Sequence, residues 1–110
     1  MYNFFMPNSI SMQEFKRLLK ERPKGSVFVD VRTPEEYAHS HIEGIINIPV
    51  TEISEHLEEL GKYDAIYVHC RAGGRAGRAC IALVDQYNLQ NVYKVDGGID
   101  TWVEEGLPTI

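Results

Sequence analysis

No apolar run in this chain approaches the roughly 20 residues that a helix needs to cross a bilayer, and membrane-spanning proteins drop out first. Cysteine is scarce: two among 110 residues cannot make a disulfide framework, and a reducing cytosol is the expected compartment. Positive charge is in deficit, with 11 Lys and Arg against 16 Asp and Glu and a formal net charge of −5. The basic residues form no stripe either, which argues against nucleic acid as a partner. The opening Met1-Tyr2-Asn3-Phe4-Phe5-Met6-Pro7 lacks the basic and apolar regions of a secretory signal. Internal repeats, low-complexity segments and linkers are missing too. What remains is an ordinary globular composition, 44% hydrophobic and 25% charged, over a length suited to one core. Residues 1–110 are expected to form a single domain with residues 1–8 as an N-terminal extension, in which Tyr2, Phe4, Phe5 and Met6 pack over a sheet edge, with a dimer contact as the less favoured reading.

The stretch that organises the rest is Ala65-Ile66-Tyr67-Val68-His69-Cys70-Arg71-Ala72-Gly73-Gly74-Arg75-Ala76-Gly77-Arg78-Ala79-Cys80. A β-branched and aromatic run hands a cysteine to a short Gly/Arg loop, and an Ala-rich helical segment follows. α/β proteins present a nucleophile at such a strand–loop–helix junction. Gly73 and Gly74 are free to take positive φ, so that successive N–H groups turn inward as an anion cradle. The helix N-terminus beginning near Arg75 adds its own unsatisfied donors. With Arg71 and Arg75, these features favour thiolate over thiol at Cys70 and welcome an anionic reactant. Cysteine-dependent phosphatases resemble His-Cys-x5-Arg, and here the arginine comes one residue early, because Cys70 to Arg75 is Cys-x4-Arg. A smaller ring suits a smaller moiety, such as a single sulfur.

Along the rest of the chain, Ser9-Ile10 reads as a first strand, and Ser11 to Glu14 has the capping-box spacing of a helix start. Met12, Phe15, Leu18 and Leu19 form that helix's buried face, and Pro23-Lys24-Gly25 ends it. Val27-Phe28-Val29-Asp30-Val31 is uniformly apolar enough to be a central parallel strand. Thr33-Pro34-Glu35-Glu36 combines a Thr cap, Pro at the first helical position and Glu three residues past the cap, predicting a helix from about 34 to 39. Ile45 to Ile48 is the next strand. Ile53, Leu57 and Leu60 mark an amphipathic helix stopped by Gly61, and the helix after the cysteine loop runs to about Tyr87. Asn91 to Val95 is the last strand, Asp96-Gly97-Gly98 its turn, and Ile99 to Glu105 the last helix, with Trp102 inward. Strands alternating with helices imply a parallel sheet covered on both faces.

From Ile10 to Pro108 the sequence resembles the rhodanese-like (sulfurtransferase) family. Besides the short cysteine loop, Asp30-Val31-Arg32-x-x-Glu35-Glu36-Tyr37 is similar to the family's Asp-Val-Arg…Glu-Tyr segment. His41-Ile42-x-Gly44-Ile45-x-Asn47-Ile48-Pro49 is similar to its His-Ile-x-Gly-Ala-x-Asn-x-Pro segment, and residues 96–108 resemble its Asp-Gly-Gly…Trp…Gly-Leu-Pro close. Ser40 stands where Gly is commoner, and Ala76 where Ser often follows the loop arginine; neither change removes a nucleophile. The resemblance implies a three-layer α/β/α fold with a central, mostly parallel sheet of about five strands. It also implies a two-step exchange through a persulfide on Cys70, with thiosulfate as the preferred small anionic donor and cyanide or a thiol, free or on a protein, as acceptor. Arg71, Ala72, Gly73, Gly74 and Arg75 would bind the donor, Asp30 would tether the loop, and no cofactor or membrane is implied. A persulfide relay or adaptor and, less favoured, a cysteine-dependent phosphatase stay open.

Other chemistry-bearing residues have plainer readings. Arg32 is read as pairing with nearby carboxylates, Arg78 as solvated and Cys80 as packed inside its helix. His39 and His41 lack a further ligand pair, so no metal site is expected, and His41 reads as a satisfied structural histidine. His69 is read as bonding nearby backbone rather than as a general base.

Overall fold

The structure, a computed structural model, describes residues 8–110; the expected packing of Tyr2, Phe4, Phe5 and Met6 lies outside them. Asn8 already belongs to the first strand, β1 (Asn8–Ile10), rather than to an extension. Helix α1 (Met12–Glu21) starts where expected: the Ser11 hydroxyl accepts the Glu14 N–H at 3.1 Å. Only that half of the capping box forms, because the Glu14 carboxylate pairs with Arg17 instead. The helix stops at Arg22, a left-handed residue at φ 48°, before the Pro23–Gly25 punctuation.

Strands β2 (Ser26–Asp30), β3 (Ile46–Asn47), β4 (Ala65–His69) and β5 (Val92–Val95) join β1 in one sheet of order β1-β5-β4-β2-β3, every pairing parallel. β4 is the middle strand, and β2, beside it and paired on both edges, is the interior parallel strand expected. The chain builds outward from β2 to β3, crosses back to β4, then builds the other way to β5. That reversal leaves a crevice at the carboxyl ends of β2 and β4, where open α/β sheets place their ligands. Asp30 and His69, the last residues of these two strands, are in register there.

Side chains alternate across the sheet. Val27, Val29, Ile66, Val68 and Cys70 face a core built with Leu60 and with Ala76, Ala79, Cys80 and Leu83 of the post-loop helix. Phe28 and Tyr67 face the other core, with Phe15 and Leu18 of α1 and with Ile99 and Trp102. Both faces are covered by helices, the three-layer α/β/α arrangement the alternating pattern implies.

The remaining helices differ in pitch more than in place. α2 (Pro34–His39) has the bounds and full capping box read from its sequence. The segment with Ile53 and Leu57 winds first as a 3₁₀ helix (Val50–His56) and only then as α3 (Leu57–Leu60). After the cysteine loop, α4 (Gly74–Ile81) passes into a π turn over Ala82–Gln86, where the Tyr87 N–H reaches back to the Ala82 carbonyl. α5 (Ile99–Glu104) closes the fold, and the Trp102 indole N–H donates to the Pro108 carbonyl at 2.9 Å.

Candidate active site

Cys70 is the residue immediately after β4, and strand parity sends its side chain toward α4. The sulfur lies under the loop that α4 completes. Gly73 N–H donates to Sγ at 3.0 Å, and Ala76 N–H, in the first turn of α4, does so at 3.4 Å. Gly73 sits at φ 116°, a conformation that only glycine adopts at no cost, and this turns its amide onto the sulfur. Gly74 corrects the expectation for the pair: it is the first residue of α4 and is not among the positive-φ residues. The donors to Sγ come from residues 73 and 76, so Ala76 joins the cradle that the sequence reading drew only as far as 75. Among the described residues, the N–H groups of Arg71, Ala72, Gly74 and Arg75 make no hydrogen bond. Two loop amides thus sit on the sulfur of a cysteine that is 1% exposed, and four more in the same loop have no protein acceptor.

The loop's first two carbonyls are gripped from α5. Ile99 N–H donates to the Cys70 carbonyl at 3.0 Å and Asp100 N–H to the Arg71 carbonyl at 3.2 Å. Gly98 makes this approach possible, since a Cβ there would stand 2.2 Å from the Cys70 carbonyl oxygen. His69 grips the same carbonyl through Nδ1 at 3.1 Å. The sequence reading treated Gly97-Gly98 as a turn and missed its role as the seat of the loop; only the structure shows α5 meeting residue 70.

Both loop arginines depart from expectation. They were read as free cations awaiting a donor, and each already carries a carboxylate. Arg75 makes a two-point pair with Glu36, Nη1 to Oε1 at 2.6 Å and Nη2 to Oε2 at 3.1 Å. Arg71, mostly exposed, meets Asp100 at 3.2 Å. Arg75, an awkward cation at a helix N-terminus, is thus neutralised by the protein's own anion. The pair holds the Glu36 carboxyl down at about 2, helped by the Thr33 N–H, and raises the Arg75 guanidinium. A further cation that the sequence reading did not single out, Lys94, brings Nζ to 3.3 Å from where a Cβ on Gly73 would stand.

Asp30 does not tether the loop. Residues 28 and 30 share a sheet face, opposite the one Cys70 points into, and the buried Asp30 carboxylate is taken by Arg32 through its backbone N–H, Nε and Nη2 at 2.8–3.0 Å. Its nearest link to the loop is His69 Nε2, 3.8 Å from Oδ2. That nitrogen has no hydrogen-bond partner among the described residues, and burial pushes the imidazole down toward its neutral form. The buried Arg32 is a structural cation, as expected, also donating to the Ser40 carbonyl. His41 is satisfied, its Nδ1 2.7 Å from the Tyr37 carbonyl and its ring stacked on Tyr37. Cys80 is buried and unpaired, and burial pushes its thiol up to about 12.

A cavity of about 700 Å³ opens between α2 and α5, bordered by Glu36 and Arg71 and floored by Ile99. Cys70 is not in its wall. Its neighbour Arg71 is, so the loop that carries the sulfur borders the opening.

A parallel sheet whose central strand is followed at once by a cysteine, with loop amides on its sulfur, defines an α/β protein of the cysteine-centred-loop class. Within that class the chain belongs to the rhodanese-like domain family, whose model matches residues 11–105. It is similar to a sulfurtransferase of Allochromatium vinosum, 30% identical over 96% of each chain. It is also similar to thiosulfate sulfurtransferase 16 of Arabidopsis thaliana, a chloroplastic protein, 33% identical over 94% of this chain and 93% of that one. Among solved structures, a rhodanese-related protein of Thermoplasma volcanium is 32% identical, covers 94% of this chain and 97% of its own, and superposes with a TM-score of 0.76.

Proposed function

We propose that the protein is a cytoplasmic sulfurtransferase that moves one sulfane sulfur from a small anionic donor, thiosulfate by preference, to cyanide or a thiol through a persulfide on Cys70. The observation that carries this reading is the loop: Gly73 and Ala76 N–H groups already lie on Sγ, and those of Arg71, Ala72, Gly74 and Arg75 have no other partner. Amides arranged this way stabilise sulfur-borne negative charge as an oxyanion hole stabilises oxygen. The short Cys-x4-Arg spacing and the slight exposure of Cys70 favour a one-atom cargo over a tetrahedral phosphate.

In the first step the Cys70 thiolate attacks the outer sulfur of thiosulfate; the donor's S–S bond breaks and its electron pair leaves with sulfite. Cys70 then carries a terminal sulfur with one negative charge, which amides of the loop would stabilise. In the second step the acceptor attacks that sulfur, the new S–S bond breaks, and the thiolate returns. His69 stays outside the exchange as a backbone anchor, its Nδ1 on the Cys70 carbonyl and its Nε2 toward Asp30.

A thiosulfate–cyanide assay beside an aryl-phosphate assay, on wild type and Cys70→Ser, tests the reading. Thiocyanate formation abolished by Cys70→Ser, with no phosphate release, is the expected result. Cys70-dependent phosphate release without thiocyanate would overturn it in favour of a phosphatase. Slow turnover of thiosulfate with rapid acceptance of sulfur from a protein persulfide would reassign the chain as a relay.

A further inference from the structure

The two ion pairs at the loop are not equivalent. Arg71–Asp100 is long and largely exposed, the kind of pair that water and salt weaken. Arg75–Glu36 is two-pointed, 2.6 Å at its shorter contact, and only about a quarter to a third of either side chain is exposed. Glu36 is also fixed from its own side: Oε1 accepts the Thr33 N–H at 3.0 Å and the Thr33 hydroxyl at 3.1 Å, as part of the cap on α2. The carboxylate is thus held in place by α2 before any reactant arrives. It occupies the guanidinium that would otherwise take a donor's sulfonate, and it borders the opening beside the loop.

We propose that Glu36 is a specificity-determining residue for the sulfur donor: by holding Arg75 in a two-point pair it withholds that cation from highly charged donors and keeps the affinity for a dianion such as thiosulfate low. A dianion approaching Arg75 meets the Glu36 charge as well, and must share or displace it; a neutral or singly charged reactant meets a cancelled pair. The carboxylate of this pair comes from α2, a helix distant in sequence from the loop, and the proposal rests on the sulfurtransferase reading only for the identity of the donor.

Glu36→Gln is the informative change, because its amide oxygen can still accept from Thr33 while the ion pair is lost. The KM for thiosulfate should fall by about threefold or more, with kcat within about twofold. The ratio of Cys70 alkylation by iodoacetate to that by iodoacetamide, read by mass, should rise by a similar factor. Asp100→Asn removes one negative charge from the same opening and should change both readouts by less than half as much. Glu36→Asp, which keeps the charge and shortens the arm, gives the same readout should Glu36→Gln fold poorly, with a smaller change of the same sign. An unchanged or raised KM together with an unchanged alkylation ratio overturns the proposal, as does an equal effect of Asp100→Asn. The alkylation ratio remains readable even if thiosulfate proves not to be a donor, so the two readings fail separately.

Discussion

At the scale of single residues, the protein holds two cysteines in opposite chemical conditions. Cys70 receives N–H groups on its sulfur, whereas Cys80, inside α4, accepts no hydrogen bond among the described residues, and burial raises its thiol to about 12. Since the thiolate is the reactive form, iodoacetamide should label native protein once, at Cys70, and Cys80 only after denaturation. Peptide mapping of the alkylated protein checks this; native labelling at Cys80 would show that the burial argument is wrong. The single-residue features that escaped the sequence reading are partnerships. Glu36 was legible as the cap of α2, and that it also clamps Arg75, 39 positions away, was not. Local spacing tells which residue caps a helix; it carries no record of which distant side chain folds over it. The placement of Asp30 was recoverable in principle: strand parity alone puts it on the face that Cys70 does not use.

At the scale of elements, the loop's geometry depends on one glycine and tolerates change at its neighbour. Gly73 is at φ 116° and aims its amide at Sγ. Gly74 is helical, and a Cβ there would meet nothing within 4 Å. Gly74→Ala should therefore be neutral or stabilise by roughly 0.4–1 kcal/mol and leave thiosulfate turnover near wild type. Gly73→Ala strains the backbone by about 1–2 kcal/mol and should displace the amide, lowering turnover at least tenfold. Urea melts and steady-state assays of the two variants check the contrast; equal losses would mean that Gly74 carries a conformational duty the fold does not show. Among the helices, α2 was legible to its end residues because Thr33, Pro34 and Glu36 each carry a local signal. The 3₁₀ start at Val50 and the π turn at Ala82–Gln86 were not, since the apolar spacing of Ile53, Leu57 and Leu60 marks a buried face without fixing whether the backbone closes over three, four or five residues.

At the scale of the whole molecule, the parallel sheet and its cover were legible because the inner strands β2 and β4 are nearly continuous apolar runs and α1 and α4 each bury one apolar face. The strand order was not, because it is decided by which strands pair, and β4 takes the centre by pairing with both β2 and β5. Beneath that centre lie buried groups whose ionisation couples to global stability. His69 is pushed by burial below its unfolded value of 6.5. Its contribution is present above pH 6.5 and is lost as pH falls through the depressed folded value, because the unfolded chain binds the proton first. Glu36 acts lower, its contribution lost as pH falls from 4.5 toward about 2. Urea unfolding at intervals from about pH 7.5 to about pH 5 should show a decline that His69→Asn, which keeps a donor for the Cys70 carbonyl, largely removes. An undiminished slope in that variant would place the coupling elsewhere.

The account as a whole turns on whether the sulfur of residue 70, held by the amides of 73 and 76, takes up and keeps one more sulfur. Intact mass after incubation with thiosulfate and removal of excess donor measures this directly. A gain of one sulfur atom in wild type, reversed by cyanide and absent in Cys70→Ala, is the result predicted; no gain in protein whose Cys70 is shown to be reduced would contradict it.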